Sequence, residues 1–317
     1  MSIHVQPQEI YLLERYSSIE YFGELRDHWD AMVKHVEACL EAYMRDLPRD
    51  YRSRHLSEQP DVAWGQRALP NFRDTRQGLN EGYIFLSHHD FKGLHYAWGP
   101  SGDYKGQLDY STEWMPRQDE ALYQELLEKA SAYAHNICMT EGALWRPTNL
   151  LKYTPERGPL NRPDRWPTYT VNREVCIASG MKVPRSGIYV PDVDNSCAQF
   201  LSSRYPETPG AQVWVGTRDI LNPVTGEKWD EELILEKRPC TWYLVERVMD
   251  GESTALPIDA YPAHVQRYAE GESCHADGFY FTPARPRSRR FFNRGEIFPG
   301  FDAAYGKTIW QWDESQV

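Results

Sequence analysis

No two of the six cysteines stand in a C-x-x-C pair: Cys39, Cys138, Cys176, Cys197, Cys240 and Cys274 are scattered over 317 residues. Neither a zinc knuckle nor a disulfide framework is indicated, and reduced, mostly buried thiols are expected. No apolar run approaches the roughly 18 residues a membrane helix needs. The opening MSIHVQPQEIYLLER lacks a basic stretch followed by an apolar one, so a cytoplasmic protein with no membrane partner is expected. Positive charge is in deficit: 35 Lys and Arg against 46 Asp and Glu give a net charge of −11. Such a chain repels a nucleic-acid backbone as a whole and steers in a basic partner. Common catalytic signatures are missing as well. TGEK at 225–228 lacks the upstream glycine spacing of a phosphate loop, and there is no G-x-S-x-G elbow and no H-E-x-x-H helix. These absences lower the prior for common NTPases, serine hydrolases and zinc proteases. No catalytic residue, metal or cofactor is assigned.

What is present is a globular composition, 41% hydrophobic and 26% charged, with enough chain for one large or two ordinary domains. Aromatic residues make up 13%, a weak sign of binding surface, because such side chains bury area and still hydrogen-bond. From Ser17 to Arg45, Phe22, Leu25, Trp29, Met32, Val33, Val36 and Leu40 recur at helical spacing. Ser17 and Glu20 have the form of a capping box at its start. A second helix is expected from Pro70 or Asn71 to Ser87, and a third from Pro116 to Leu144; together they suggest an antiparallel bundle over 1–150. Asp90 to Met115 has no sustained period and reads as a long ordered loop. The Pro- and Arg-rich stretch 151–175 reads as a linker. Short β-type runs follow at Gly187–Val190, Val213–Val215, Leu233–Glu236, Thr241–Val248, Phe279–Thr282 and Thr308–Trp312. The fold class expected is α+β, a helical bundle followed by a β-rich region.

That region carries an internal repeat. At a constant offset of 91 residues, Gly180, Gly187, Tyr189 and Phe200 match Gly271, Gly278, Tyr280 and Phe291. VWVG (213–216) and IWQW (309–312) are read as the closing strand of each copy, so a duplicated β-module is expected over about 176–216 and 270–313. The repeat bears on the loop Asp192-Val193-Asp194-Asn195. A calcium loop needs a further ligand pattern and a twelfth-position glutamate, but Ser203 stands there. In the second copy the corresponding loop is ARPRSRR. An Asx-type turn is the plainest reading, with a partner-contact loop next and a metal site last.

Two clusters resemble ligand sets. His88, His89, Asp90 and His95 fall at a helix end, where His and Asp also serve as caps. Glu24, Asp27, His28 and Asp30 lie on the long helix and read as a solvated acidic face. The run Arg285 to Arg294 interleaves Arg with Phe291 and Phe292. It can stack bases or pair with the protein's own carboxylates, and direct nucleic-acid binding is not expected.

SGIYVPDVDNSCAQFL, the 214–248 stretch, GFYFTPARPRSRRFFNRGEIFP and YGKTIWQWD together resemble the immunity proteins of bacterial polymorphic-toxin and type VI secretion systems, of the Imm71/Imm72 type. The resemblance covers most of 176–313. It implies a stoichiometric, non-catalytic protein that binds and neutralises a cognate toxin effector with a basic surface. The contact residues expected are Tyr96, Trp98 and Tyr104, then Asp192, Asp194 and Asn195, and Arg285, Arg287, Arg289 and Arg290. Two other functions stay open: a hydrolase reversing a toxin's modification, and an effector adaptor or chaperone.

Overall fold

A computed structural model of the chain describes residues 5–160, 163, 166–248, 255–256, 267–274, 277–282, 285, 288–301 and 308–313. Helices fill the N-terminal half and antiparallel sheets the C-terminal region, an α+β layout. The N-terminal helices are α1 (Pro7–Tyr16) and α2 (Ile19–Arg45). A π-helical turn, Asp61–Ala68, then leads into α3 (Leu69–Ser87). The apolar stripe of α2 is buried throughout, from Phe22 and Leu25 through Trp29, Met32 and Val33 to Val36. Each such side chain contributes about 1.5–3 kcal/mol by leaving water. Trp29 also satisfies its indole N–H on the Phe72 carbonyl at 3.0 Å, which ties α2 to α3.

The cap of α2 is one residue later than expected. Ser18 accepts from the Tyr21 N–H at 3.1 Å, while the Ser17 hydroxyl donates back to the Leu13 carbonyl at 2.8 Å. The reason is α1, which the periodicity did not reveal and whose last turn occupies Ser17. A second correction concerns Asp90 to Met115. It is helical over much of its length, a 3-10 segment Phe91–Ala97 running into α4 (Trp98–Gln107). Asp90 caps that segment by accepting from the Lys92 N–H at 3.1 Å. Its glycines suppress helix propensity, yet one of them is required by packing. A Cβ on Gly93 would stand 2.3 Å from the Gly82 carbonyl oxygen, so the two backbones meet only because both residues are glycine. The last long helix, α5 (Arg117–Glu141), follows Pro116.

Eleven strands follow among the described residues. β1 (Thr168–Ala178) begins inside the stretch read as a linker; β2 (Gly187–Pro191) and β3 (Gln199–Leu201) form a hairpin; β4 (Ala211–Leu221) pairs only with β5 (Lys228–Arg238). The first sheet has the order β1-β6-β2-β3, with β6 (Thr241–Val248) central and β7 (Ala255–Leu256) beside it. The second sheet, built from β8 (Arg267–Ala269), β9 (Gly278–Phe281), β10 (Arg290–Phe292) and β11 (Ile309–Trp312), has the order β8-β11-β9-β10.

The two sheets are copies in register. Gly187 faces Leu201 and Ile188 faces Phe200 in the first hairpin; Gly278 faces Phe292 and Phe279 faces Phe291 in the second. Gly180 and Gly271 both take positive φ, 85° and 84°. Their N–H groups donate to the Thr208 and Phe298 carbonyls, each at 2.8 Å. The closing strands correct the expected alignment. IWQW corresponds to Thr241-Trp242-Tyr243-Leu244, since Ile177 faces Trp242 as Tyr268 faces Trp310. Both indoles donate to a proline carbonyl, Pro209 and Pro299, at 2.8 Å. VWVG belongs instead to the β4–β5 hairpin, an insertion between Pro209 and Cys240 that the second copy lacks.

Every residue of β2 is buried. Ile188 and Val190 join the core of the helical half, and Tyr189 points to the opposite side, into the first module's own core with Trp242 and Leu244. The second module has a separate aromatic core of Tyr268, Tyr280, Phe292, Phe298 and Trp310.

Candidate functional site

The expected contact residues lie in three places. Tyr96 is half-buried and donates its hydroxyl to Glu81 at 3.2 Å, and Tyr104 is exposed on α4. Trp98 donates its indole N–H to Glu141 at 3.0 Å. Glu141 is almost fully buried at the end of α5. It also accepts from the Tyr205 hydroxyl at 2.7 Å and from the Arg204 guanidinium at 3.1 Å, with His95 Nδ1 at 3.8 Å. Burial pushes the Tyr205 hydroxyl up, and the neighbouring carboxylate adds to the effect. This cluster pins the helical half to the first module, so Trp98 serves the seam while showing 40% of its surface.

Asp192 and Asn195 form a turn. The Asp192 carboxylate accepts from the Thr241 N–H at 2.8 Å, and Asn195 has φ 57°. The Asn195 carbonyl in turn accepts from the Trp214 N–H at 2.8 Å, which fixes the base of the β4–β5 hairpin. The expected Asx turn bonds the loop's own backbone, whereas the Asp192 carboxylate reaches a strand 49 residues away, so the loop ties β6 and the arm together. Asp194 is exposed on the same turn.

The arginines of the second module meet α2. Arg287 lies outside the described residues. Arg285 and Arg289 line a cleft of about 580 Å³ with Glu20, Glu24, Arg26 and Asp27 of α2, walled by Tyr83 and Phe281. Thus two sequence clusters more than 250 residues apart, the acidic face of α2 and the arginine loop, share one site. Their charges are largely spent on neighbours. Arg26 pairs with Asp27 at 2.6 Å and lies 4.2 Å over the Tyr83 ring. Arg289 pairs with Asp313 and stacks 4.0 Å over Phe279, and Arg290 pairs with Glu296 at 3.0 Å. Asp30 pairs with Lys34 at 2.5 Å and with Arg76 at 3.5 Å. Burial, helped by Lys129, pushes His28 below the usual histidine range despite Glu24 and Asp27. Of Glu24, Asp27, His28 and Asp30, the two aspartates are thus held in ion pairs. His88, His89, Asp90 and His95 also stay apart in role: His88 ends α3, His89 has φ 59°, Asp90 is a cap and His95 faces Glu141.

The β4–β5 hairpin, which the periodicity only partly indicated, carries a cluster of exposed apolar side chains. β4 and β5 each run eleven residues, although the sequence shows β character only at Val213–Val215 and Leu233–Glu236. Ala211 and Val213 are anchored in the first module's core. Beyond them the hairpin leaves the body of the protein and exposes Trp214, Val215, Ile220, Leu221, Val224, Trp229 and Ile234. Val224 is 91% and Trp229 72% exposed. Ion pairs across the strands, Arg218 with Glu232 at 2.5 Å and Lys228 with Asp219 at 2.6 Å, hold the register. The signal available in the sequence was Asn222-Pro223-Val224-Thr225-Gly226, a turn that joins two strands of equal length; Gly226 has φ 70°.

The chain matches no family model, no curated protein and no solved structure. Among the described residues no helix is long and apolar enough to cross a membrane.

Proposed function

We propose that this protein is an immunity protein that binds a cognate antibacterial toxin effector one to one and blocks it without catalytic turnover, in the cytoplasm. The observation that carries the reading is the β4–β5 arm. A two-stranded hairpin is marginal alone in water, and one that presents two tryptophans and five aliphatic side chains is suited to bury them against another protein. Glu227, Asp230, Glu231, Glu232 and Glu236 give its tip and outer strand an acidic cast, and the whole chain carries −11. A toxin with a basic surface fits both features, because complementary charge speeds capture while the aromatic anchors hold it.

The test measures the activity of the toxin domain encoded beside this protein as the protein is added, with affinity recorded on the same samples. Complete inhibition at one equivalent is expected. Replacing Trp229 and Val224 together by Ser leaves folding intact, since both are exposed, and weakens binding by about tenfold or more. Binding without inhibition would replace this function by that of an adaptor or chaperone, and protection at sub-stoichiometric amounts would replace it by an enzyme reversing the toxin's modification. Unchanged affinity in the arm variant would remove the arm from the interface.

A further inference from the structure

α2 and α5 pack side by side, and where the first turn of α5 meets the middle of α2 three donors of different chemistry converge. His35 and Cys39 are four residues apart on α2, so both point from one face. Asp119 approaches from α5. One ligand atom from each of the three lies within 4.8 Å of the other two. Among the described residues this is the one group of three or more His, Cys, Asp and Glu side chains drawn together so closely. We propose that His35, Cys39 and Asp119 form a binding site for one divalent transition-metal ion of the zinc class.

The geometry of the histidine carries the argument. Its Nε2 lies 2.8 Å from the backbone carbonyl oxygen of Asp119. A carbonyl accepts only, so the neutral ring places its proton on Nε2 and leaves the Nδ1 lone pair bare. Cys39 Sγ lies 4.0 Å from Nδ1 and 3.6 Å from Nε2. Histidines that hold metals almost always donate their other ring N–H to a carbonyl or carboxylate, which fixes tautomer and ring orientation. Asp119 thus has two tasks, its carbonyl setting the ring and its carboxylate offering the third donor. With Zn–N near 2.0 Å and Zn–S near 2.3 Å, tetrahedral donors stand roughly 3.5 Å apart. Sγ now stands nearer Nε2 than Nδ1, so binding through Nδ1 requires the ring or the thiol to turn. A mixed nitrogen, sulfur and oxygen set selects zinc or cobalt over the hard cations, which prefer all-oxygen shells. His35 and Asp119 are half-buried, so a solvent molecule can complete the tetrahedron.

The test uses the full-length protein freed of metal by chelation and then dialysed against Zn²⁺, with bound ion counted by elemental analysis. A parallel sample takes Co²⁺, whose thiolate charge-transfer absorption reports a sulfur ligand. The variants are His35→Gln, Cys39→Ser and Asp119→Asn, with Cys176→Ser as control because that thiol is exposed and distant in sequence. One ion per chain is expected for the unaltered protein and the control, with the cobalt–thiolate band present. The band disappears in Cys39→Ser, and affinity falls at least tenfold in the other two. No stoichiometric ion in the unaltered protein would overturn the proposal. So would an ion held equally well by the His35 and Cys39 variants, or cobalt bound without a thiolate band. The last measurement needs no variant, so a variant that fails to fold leaves the proposal open to refutation.

Discussion

The two β-modules keep one hydrogen-bonding scheme and put it to different ends. In the first, the face made by Ile188, Val190 and Phe200 is sealed against the helices, with Phe200 fully buried and 5.2 Å from Phe91. In the second, the equivalent face is Phe279, Phe281 and Phe291. Phe291 is 48% exposed, Phe281 lines an open cleft, and the module touches the helical half through polar contacts such as Gln311 to the Tyr83 hydroxyl at 2.7 Å. The first copy also carries the β4–β5 arm between Pro209 and Cys240, whereas only eight residues separate Pro299 from Thr308 in the sequence of the second. The two frames share one pairing scheme, the first serving as core and arm base and the second presenting Phe291 and the arginine-lined cleft. Backbone pairing and a few special residues maintain the frame; side chains on the outward face decide what it meets.

Phe200→Ala and Phe291→Ala, at equivalent positions, will differ most of all. Chemical denaturation should show a loss of about 3–5 kcal/mol for Phe200→Ala, where a cavity opens, and at most about 0.5 kcal/mol for the exposed Phe291→Ala. Similar losses at both sites would mean the second face is also sealed.

A second contrast concerns pH. Ala198 of the first module is small enough for Glu9 of α1 to reach its N–H at 3.3 Å, whereas the equivalent residue in the second module is Arg289. Burial pushes Glu9 up to about 7 against this hydrogen bond. The folded state therefore holds a proton that the unfolded chain releases near its ordinary value of 4.5. Stability from this group is complete below pH 4.5 and is lost as pH rises to about 7, by about 3 kcal/mol in all. Glu9→Gln should flatten that slope, and unfolding free energies at pH 5 and pH 8 will show it. An unchanged slope would point to other titrating groups.

The smallest effects test the frame itself. Gly180→Ala and Gly271→Ala meet no atom within 4 Å of the added Cβ, so only the positive φ is penalised. Each should cost about 1 kcal/mol, and the two costs should agree, read as midpoint shifts in denaturant for the first and as local hydrogen exchange around β8 and β11 for the second. On the arm, Trp229→Ala should leave stability within about 0.5 kcal/mol, because its side chain packs on nothing that folding requires. A larger loss would place Trp229 in a contact within the chain.

Much of the fold was legible residue by residue. The α2 stripe and the Gly180 and Gly271 positions of the repeat were plain, because burial on one face leaves a period and a positive φ leaves a glycine; on α5 the buried row is Tyr123, Leu127, Ala130, Ala134 and Ile137, while Leu122 is exposed. Less legible were segments whose signal is cancelled by a second constraint. Gly93 hid a helical segment while permitting the approach to Gly82, and α1 hid behind a strong neighbour. The match of VWVG to IWQW failed because an insertion breaks a constant offset, and two aromatic strands look alike until their partners are known.

Composition, periodicity and the repeat determined an acidic α+β protein with a duplicated β-frame, since these properties depend on residue type and local spacing. Which strand closes each copy, which face is sealed, that Asp27 meets Arg289 in one cleft, and that His35 and Cys39 meet Asp119 were decided by tertiary structure alone. Each of those depends on partners brought together from distant parts of the chain, and no local pattern records the distance between them.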